Sequence, residues 1–300
     1  MSIESSNYGQ QLEKPRPVEI LLHFFRHDKK EKEYLLGEKG ENKDYPVRLT
    51  IEGKENARSY HNPGRASQSV AFGSPRARSK ETAALHMHGE KAMLSGNETQ
   101  EEFKELMKEL NVATDDKLNF HLEADNAYVT RAFEEHAKGR LFEYWVTESD
   151  TDIVAANDHE STSYSITAAN VAKIVKKYLT VSERFYDLAN NPEKDYEHTM
   201  ERFLGSHGNT VECFLAKVIE KTEGQDRLWE FINAGNNQSI DFSEGFDLAI
   251  IQDGNTTSLS VHYEKPAGDG YDAFNFDAKI PISMIEEIIN EGNLFTKTNA

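Results

Sequence analysis

Basic side chains directly follow three short apolar segments of this 300-residue chain. The residues at these positions are Arg26-His27, Arg76 with Arg78, and His207. A histidine with a free ring nitrogen is a nucleophile, and guanidinium groups form paired, charge-assisted hydrogen bonds with phosphoryl oxygens. Two histidines and several arginines are therefore the residue types needed to pass a phosphoryl group through a histidine.

The apolar segments before these residues are predicted to be strands. The continuous apolar run over 18–25 is typical of a strand buried on both faces, as in a parallel sheet. Shorter strands are predicted over 67–73 and 203–206, each followed by a helix, from about 76–79 to 93 and over 210–221. Ligands of open α/β sheets bind at the carboxyl ends of strands. We therefore expect the three segments to deliver their basic groups to one edge of the sheet.

The remaining patterns complete an α/β prediction. Helices are predicted over 49–61, 101–110, 127–137, 167–189 and 281–290, with Thr50 as the N-cap of the first. A further strand is predicted over 118–122, and residues 246–252 and 257–263 are predicted to form a hairpin. The pattern over 141–147 is ambiguous. Alternating strands and helices closed by a hairpin favour a three-layer α/β/α sandwich with a mostly parallel mixed sheet. Residues 1–17 are predicted to be a flexible tail and 18–300 a single domain, with an inserted cap or side lobe around 96–157.

The acidic composition restricts the partners. With 34 basic and 52 acidic residues the formal net charge is −18, which disfavours nucleic acid and anionic membranes. An anionic substrate then needs a local basic cluster, and the chain offers Arg26, Lys29, Lys30, Lys32, Arg48, Arg58, Arg65, Arg76 and Arg78. The alternative is that these residues are scattered over a charged surface.

The single cysteine indicates the expected compartment. Cys213 lies in an apolar stretch, so it is predicted to belong to the core, and one cysteine cannot form an internal disulfide. The first residues lack an apolar leader pattern, and no apolar run approaches about 18 residues. We therefore expect a cytoplasmic protein with no membrane partner. The sequence does not indicate an oligomeric state.

Four motifs in order resemble those of the histidine phosphatase superfamily, which includes the cofactor-dependent phosphoglycerate mutases. They are Arg26-His27-Asp28, the segment Leu49-Thr50-Ile51-Glu52-Gly53-Lys54-Glu55-Asn56-Ala57, the segment Ser74-Pro75-Arg76-Ala77-Arg78-Ser79-Lys80-Glu81-Thr82-Ala83, and His207-Gly208. The resemblance implies a phosphoglycerate mutase-like fold and a metal-independent phosphomonoester hydrolase without a cofactor. The substrate would be a phosphorylated small molecule or a phosphopeptide.

The resemblance also implies roles for individual residues. His27 would attack phosphorus, while Arg26, Arg78 and His207 would bind the transferring oxygens. Arg76 competes with Arg78 for the family arginine, and the spacing to Thr82-Ala83 favours Arg78. Additional substrate contacts are expected from Asp28, Lys29, Arg76, Gly208 and Asn209.

The general acid is the least constrained role. In this superfamily it is often a glutamate that protonates the leaving oxygen. Glu123, which follows the predicted strand over 118–122, is the first candidate, and Glu143, Glu148 and Asp28 are alternatives.

One departure from the family pattern leaves the function open. Asp28 stands where the family has glycine, and a carboxylate there would place negative charge near the phosphate. The alternatives are thus a degenerate phosphate-binding or protein-interaction module and, with less support, a mutase. His86 and His88 form at most part of a metal site, because no third ligand has suitable spacing; we expect them to be exposed helix residues.

Overall fold

The computed structural model describes residues 15–32, 46–61, 69–122, 124–234, 240–268 and 272–296. The strands within these ranges are β1 (Val18–Arg26), β2 (Val70–Gly73), β3 (Val112–Thr114), β4 (Thr199–Ser206), β5 (Gly245–Asp253), β6 (Thr256–Lys265) and β7 (Phe274–Lys279). The α-helices in the same ranges are α1 (Ile51–Ser59), α2 (Ala77–His88), α3 (Gln100–Glu109), α4 (Ala127–Ala137), α5 (Leu141–Thr147), α6 (Ser149–Ala155), α7 (Tyr164–Ala189), α8 (Gly208–Glu223), α9 (Gln225–Asn233) and α10 (Ile282–Phe295).

The strands form one mixed sheet in the order β3-β2-β4-β1-β5-β6-β7. The pairs from β3 to β1 are parallel, and the pairs from β1 to β7 are antiparallel, so all strands except β5 and β7 run in one direction. In this register Arg26 lies opposite Ser206, and Gly73 lies opposite Gly205. The carboxyl ends of β1, β2 and β4 are therefore level with one another.

Helices cover both faces of the parallel half of the sheet. Ile20, Leu22 and Phe24 of β1 point into the larger core, to which α4–α10 contribute. Phe25 points into a smaller core with apolar side chains of α1, α2 and α3. This double burial explains the continuous apolar run of β1. In β5–β7 burial alternates along each strand, so the sheet there packs on one face only.

Two local features place the helices that carry the motifs. The Thr50 side chain accepts a hydrogen bond from Gly53 N at 2.9 Å and so caps α1 as expected. Gly205 on β4 allows α2 to approach, because a Cβ at this position would lie 2.3 Å from Ser79 O. This close contact sets the start of α2 against the end of β4.

The structure confirms the predicted fold class and departs from the sequence prediction at particular elements. The predicted strand over 118–122 is wrong: Asp116–Leu118 is a 3-10 turn, and β3 takes the edge of the sheet instead. Leu118 is fully buried in the larger core, which explains its apolar character without a strand. The ambiguous segment 141–147 is helical, and α6, α9 and β7 were not predicted.

The segment predicted as a cap contributes to both the sheet and the core. It supplies β3, and Tyr128, Phe142 and Trp145 of α4 and α5 are buried in the larger core. The predicted tail lies outside the described residues over 1–14. Among the described residues, no helix is long and apolar enough to cross a membrane. Cys213 is buried as expected, and its burial raises the pKa of the thiol.

Candidate active site

His27 follows β1 and is held at the carboxyl edge of the sheet. Its backbone N donates to Ser206 O at 2.8 Å, and its ring Nδ1 lies 2.7 Å from the carbonyl oxygen of Asp28. A carbonyl oxygen only accepts, so Nδ1 carries the proton and Nε2 keeps its lone pair. The side chain is buried. The ring thus presents an unprotonated Nε2 on the side opposite the Asp28 carbonyl.

Arg78 on the first turn of α2 covers that lone pair. Its Nε donates to Nε2 of His27 at 3.0 Å, and both side chains are buried. Burial, followed by the charge of Arg78, holds the pKa of His27 well below its usual value. His27 is therefore neutral at neutral pH.

His207 follows β4 and faces His27. The two rings meet edge to face with centroids 5.1 Å apart. The Ser74 hydroxyl donates to Ser79 Oγ at 3.0 Å, so Nε2 of His207 is the donor in its 2.9 Å contact with Ser74 Oγ. Its Nδ1 is buried and has no hydrogen-bond partner within the described ranges. Burial, followed by the charges of His27 and Arg78, lowers the pKa of His207.

Arg26 is positioned by a loop that the sequence did not point to. Its Nη1 donates to Ile240 O at 2.9 Å, and its guanidinium carbon lies 4.4 Å from the ring centroid of Phe242. The start of α8 packs on the same side chain, since a Cβ at Gly208 would lie 3.4 Å from Arg26 Cδ. Arg26 is thus fixed between the loop over 240–244 and the first turn of α8.

Arg76 is anchored in the wall beside His207. Its Nε donates to Asn119 Oδ1 at 2.9 Å and its Nη2 to Phe120 O at 3.2 Å. Its guanidinium carbon is 4.5 Å from the Phe120 ring, which in turn meets His207 edge to face at 4.9 Å. The segment wrongly predicted as a strand thus supplies both anchors.

The carboxylate of Asp28 is fully engaged by protein donors. Oδ2 accepts from Asn56 Nδ2 at 2.7 Å and from Ser243 Oγ at 2.5 Å, and Oδ1 accepts from Lys29 N at 2.6 Å. The side chain is buried. The residue that replaces the family glycine therefore links α1 to the loop over 240–244.

The remaining candidates lie around this group. Lys29 forms an exposed ion pair with Glu52 at 2.5 Å. Gly208 and Asn209 begin α8, whose N-terminal N–H groups carry partial positive charge near His207. Glu123 and Arg65 lie outside the described residues. Glu148, an alternative acid, is paired with Arg131 at 2.5 Å.

Glu212 is a buried acid that the sequence reasoning missed. Its Oε1 accepts a hydrogen bond from Ile240 N at 3.2 Å, while Arg26 holds the carbonyl of the same residue. Burial raises the pKa of Glu212 to about 7, and the positive charge of Arg26 opposes the rise. Its position on α8, five residues after His207, was the only signal available.

His86 differs from the expectation of an exposed histidine. It is buried, with its ring stacked on Phe25 at 4.0 Å between centroids. Burial lowers the pKa of His86 to about 3. Within the described ranges, no three His, Cys, Asp or Glu side chains are grouped as a metal site.

The arrangement is a positively charged cluster in which both histidines, Arg76 and Arg78 are buried. Arg26, Arg76 and Arg78 surround two neutral histidines, and charge from these arginines contributes to the low histidine pKa values. An orphaned ring nitrogen on His207, an unprotonated ring nitrogen on His27 and guanidinium donors together suit a phosphoryl group.

Comparison with known proteins gives matches among solved structures only. No protein-family model and no curated protein matches the chain. A mycobacterial glucosyl-3-phosphoglycerate phosphatase is 16% identical over 79% of this chain and 91% of that one, with a TM-score of 0.37. The phytase from Citrobacter braakii is 11% identical over 94% of this chain and 99% of that one, also with a TM-score of 0.37. The phosphoglycerate mutase from Plasmodium falciparum is 15% identical over 88% of this chain and 99% of that one, with a TM-score of 0.31.

All three structures belong to the superfamily that the sequence motifs resemble. At these identities and TM-scores the superpositions are loose. The residues around His27 and His207 and the order of the motifs are therefore the observations that indicate a particular chemistry.

Proposed function

We propose that the chain is a histidine phosphatase-superfamily enzyme that hydrolyses phosphomonoesters through a phosphohistidine on His27. The supporting observation is the ring geometry of His27: Nδ1 is fixed by the Asp28 carbonyl at 2.7 Å, and Nε2 lies 3.0 Å from Nε of the buried Arg78. The ordered motifs in the sequence support the same assignment. The substrate is a phosphorylated small molecule or a phosphopeptide.

The first chemical step is attack on phosphorus. When the substrate enters, Arg78 transfers its hydrogen bond from Nε2 of His27 to a phosphoryl oxygen, which frees the lone pair. Nε2 forms the N–P bond while the ester P–O bond breaks and the leaving oxygen takes a proton from the general acid. Arg26 and Arg78 stabilise the negative charge on the equatorial oxygens.

His207 binds the negatively charged phosphoryl group during this step. Burial, followed by the positive charge of its neighbours, lowers the pKa of His207, and a dianionic phosphate raises it again, so Nδ1 gains a proton and donates to a phosphoryl oxygen. The Ser74 hydroxyl keeps the ring in place from the opposite nitrogen. His207 is thus a binding group rather than a second nucleophile.

The second chemical step regenerates the enzyme. A water molecule, deprotonated by the conjugate base of the general acid, attacks the phosphohistidine; the N–P bond breaks, and inorganic phosphate leaves. The neutral His27 returns to its hydrogen bonds with Asp28 and Arg78. We assign the acid to Glu123, which follows the Phe120 wall in sequence.

A degenerate phosphate-binding module is the second candidate, and Asp28 is the observation that favours it. Its carboxylate replaces the family glycine next to the nucleophile. The hydrogen bonds that this carboxylate accepts from Asn56 and Ser243 argue for catalysis, because they direct its negative charge towards protein donors and not towards the phosphate. A mutase would give an isomeric product instead of free phosphate. We further propose a cytoplasmic location and no nucleic-acid or membrane partner.

The experiment that tests the proposal is phosphate release from an aryl phosphate without added metal. Wild type is compared with His27→Ala and with the control His262→Ala, which removes an exposed histidine of β6. We expect turnover in wild type and the control and none in His27→Ala. Vanadate binding by a wild type that releases no phosphate would support the binding module instead.

A further inference from the structure

A recess lies on the other side of α2 from His27. Its volume is about 530 Å³, and it is bounded by α2, α3 and the end of β3. Arg78 of α2 points to His27, whereas Lys80, two residues later, lines this recess. A helix turns about 200° over two residues, so the recess and the catalytic centre lie on opposite faces of α2.

The walls of the recess carry excess positive charge. Arg48, Lys80, Lys104 and Lys108 contribute cations, while Glu98 and Glu105 contribute carboxylates. Arg48 is neutralised by Glu81 at 2.8 Å and Glu98 at 3.0 Å, and Lys108 has a long contact with Glu105 at 3.5 Å. In the part of the chain that the structure describes, Lys80 and Lys104 have no carboxylate partner.

Lys80 is the more informative of the two unpaired cations. Its side chain is half-buried, and its Nζ lies over the Phe103 ring, 5.4 Å from the ring centroid. Burial, together with the charge of Arg48, lowers the pKa of Lys80. A partly desolvated ammonium that has no carboxylate partner is unfavourable unless an anion joins it.

The rest of the lining is apolar. Phe103 and Met107 of α3 are buried at the base of the recess, and Pro75 and Val112 also line it. Pockets of this volume hold small molecules, and this composition suits a charged group attached to an apolar body. Acidic peptides would instead require an extended cationic surface.

We propose that this recess is a second anion site, which binds a small organic phosphate or carboxylate with its charged group between Lys80 and Lys104 and its apolar part on Phe103. The site is separate from the catalytic centre, and the proposal does not depend on the chemistry assigned to His27.

The test is calorimetric titration with phenylphosphonate, which carries a non-hydrolysable dianion on an aromatic ring. Wild type should bind two molecules. The double variant Lys80→Met/Lys104→Met should lose the second site, with affinity there weakened about tenfold or more, and should keep the aryl phosphatase rate of wild type. Arg78→Met should bind one molecule, at the recess. Lys279→Met changes an exposed lysine at the end of β7, the strand at the far edge of the sheet. This variant is the matched control and should bind two molecules of phenylphosphonate.

Stability gives an independent readout. Lys80→Met replaces a desolvated ammonium by an apolar chain of similar length, so its thermal midpoint without ligand should equal or exceed that of wild type. Lys104→Met alone changes an exposed residue and provides a folded variant in any case. Phenylphosphonate should raise the midpoint of Arg78→Met but not that of Arg78→Met carrying both lysine substitutions.

Two results would overturn the second site. One is a single phenylphosphonate per wild-type chain that is lost in Arg78→Met. The other is unchanged affinity and stoichiometry in the double lysine variant. Failure of the catalytic proposal has a different signature: absent turnover in wild type, with phenylphosphonate binding that depends on Lys80 and Lys104.

Discussion

Nε of Arg78 lies 3.0 Å from Nε2 of His27 and donates a hydrogen bond to the lone pair of this ring nitrogen. In the proposed mechanism the arginine has two partners in turn: the histidine when no substrate is bound and a phosphoryl oxygen when substrate is present. Burial is the main reason why the ring is neutral, and this contact adds to it, because a protonated Nε2 would face a cation at hydrogen-bond distance.

Substitution of Arg78 by lysine should lower kcat/KM by about 10²–10³-fold, because lysine cannot supply the paired planar donors of a guanidinium. The loss should appear mainly in kcat, since the charge of the transferring group develops in the transition state. Steady-state kinetics with an aryl phosphate measure this. Arg184→Lys, an exposed change on α7, is the control and should match wild type. A wild-type kcat in Arg78→Lys would remove the arginine from the mechanism.

Restoring the family glycine with Asp28→Gly should destabilise the protein without improving catalysis. Asn56, Ser243 and the Lys29 backbone would lose their acceptor, at a cost of about 2 kcal/mol or more in the free energy of unfolding. Urea unfolding gives this value, and Ser243→Ala, which removes one donor, should cost less. A rise of tenfold in kcat/KM at unchanged stability would show instead that the carboxylate repels the substrate.

The role assigned to Glu123 predicts a dependence on the leaving group. A general acid matters most when the departing oxygen is strongly basic. Glu123→Gln should therefore slow hydrolysis of an alkyl phosphate by about 10²-fold or more, while p-nitrophenyl phosphate should be affected far less. Glu134→Gln, an exposed change on α4, is the control and should slow neither substrate. Equal losses on both substrates would place the general acid elsewhere.

His23 predicts a stability change at alkaline pH. The ring bridges β4 and β5, with Nε2 2.9 Å from Glu201 and Nδ1 2.7 Å from Asp247. Burial lowers the pKa of His23, but the bonds to Asp247 and Glu201 outweigh it and raise the pKa to about 9. The stabilisation is complete below the ordinary value of 6.5 and is lost as the pH rises through about 9.

The variant His23→Gln should therefore be less stable than wild type by about 2 kcal/mol near pH 6, with the difference shrinking towards pH 10. Urea unfolding across this range measures it. His262→Gln, an exposed histidine on β6, should follow wild type throughout. A difference that grows with rising pH would contradict a protonated His23.

The sequence predicted the centre of the site better than its walls. His27, Arg78 and His207 directly follow strands or begin helices, and the parallel pairing of β1, β2 and β4 then brings them together. Arg26 is different, because its partners Ile240 and Phe242 lie more than 200 residues away in an irregular loop. Neither hydrophobic periodicity nor turn-forming residues in the sequence predict such a long-range contact.

The error over 118–122 has a related cause. Leu118, Phe120 and Leu122 alternate with polar residues, which is the pattern of a half-buried strand. In the structure Leu118 fills the core beneath the site and Phe120 meets the His207 ring. The alternation thus reflects burial against different partners in an irregular segment, which a pattern alone does not separate from a strand.

The most direct test of the account is to trap the covalent intermediate. Wild type is mixed with an aryl phosphate, quenched in alkali, which preserves phosphohistidine, and digested for mass spectrometry. We predict one phosphoryl group on the peptide that contains His27 and none in His27→Ala, while His262→Ala gives the wild-type result. A phosphoryl group on another residue, or wild-type phosphate release by His27→Ala, would contradict the central claim.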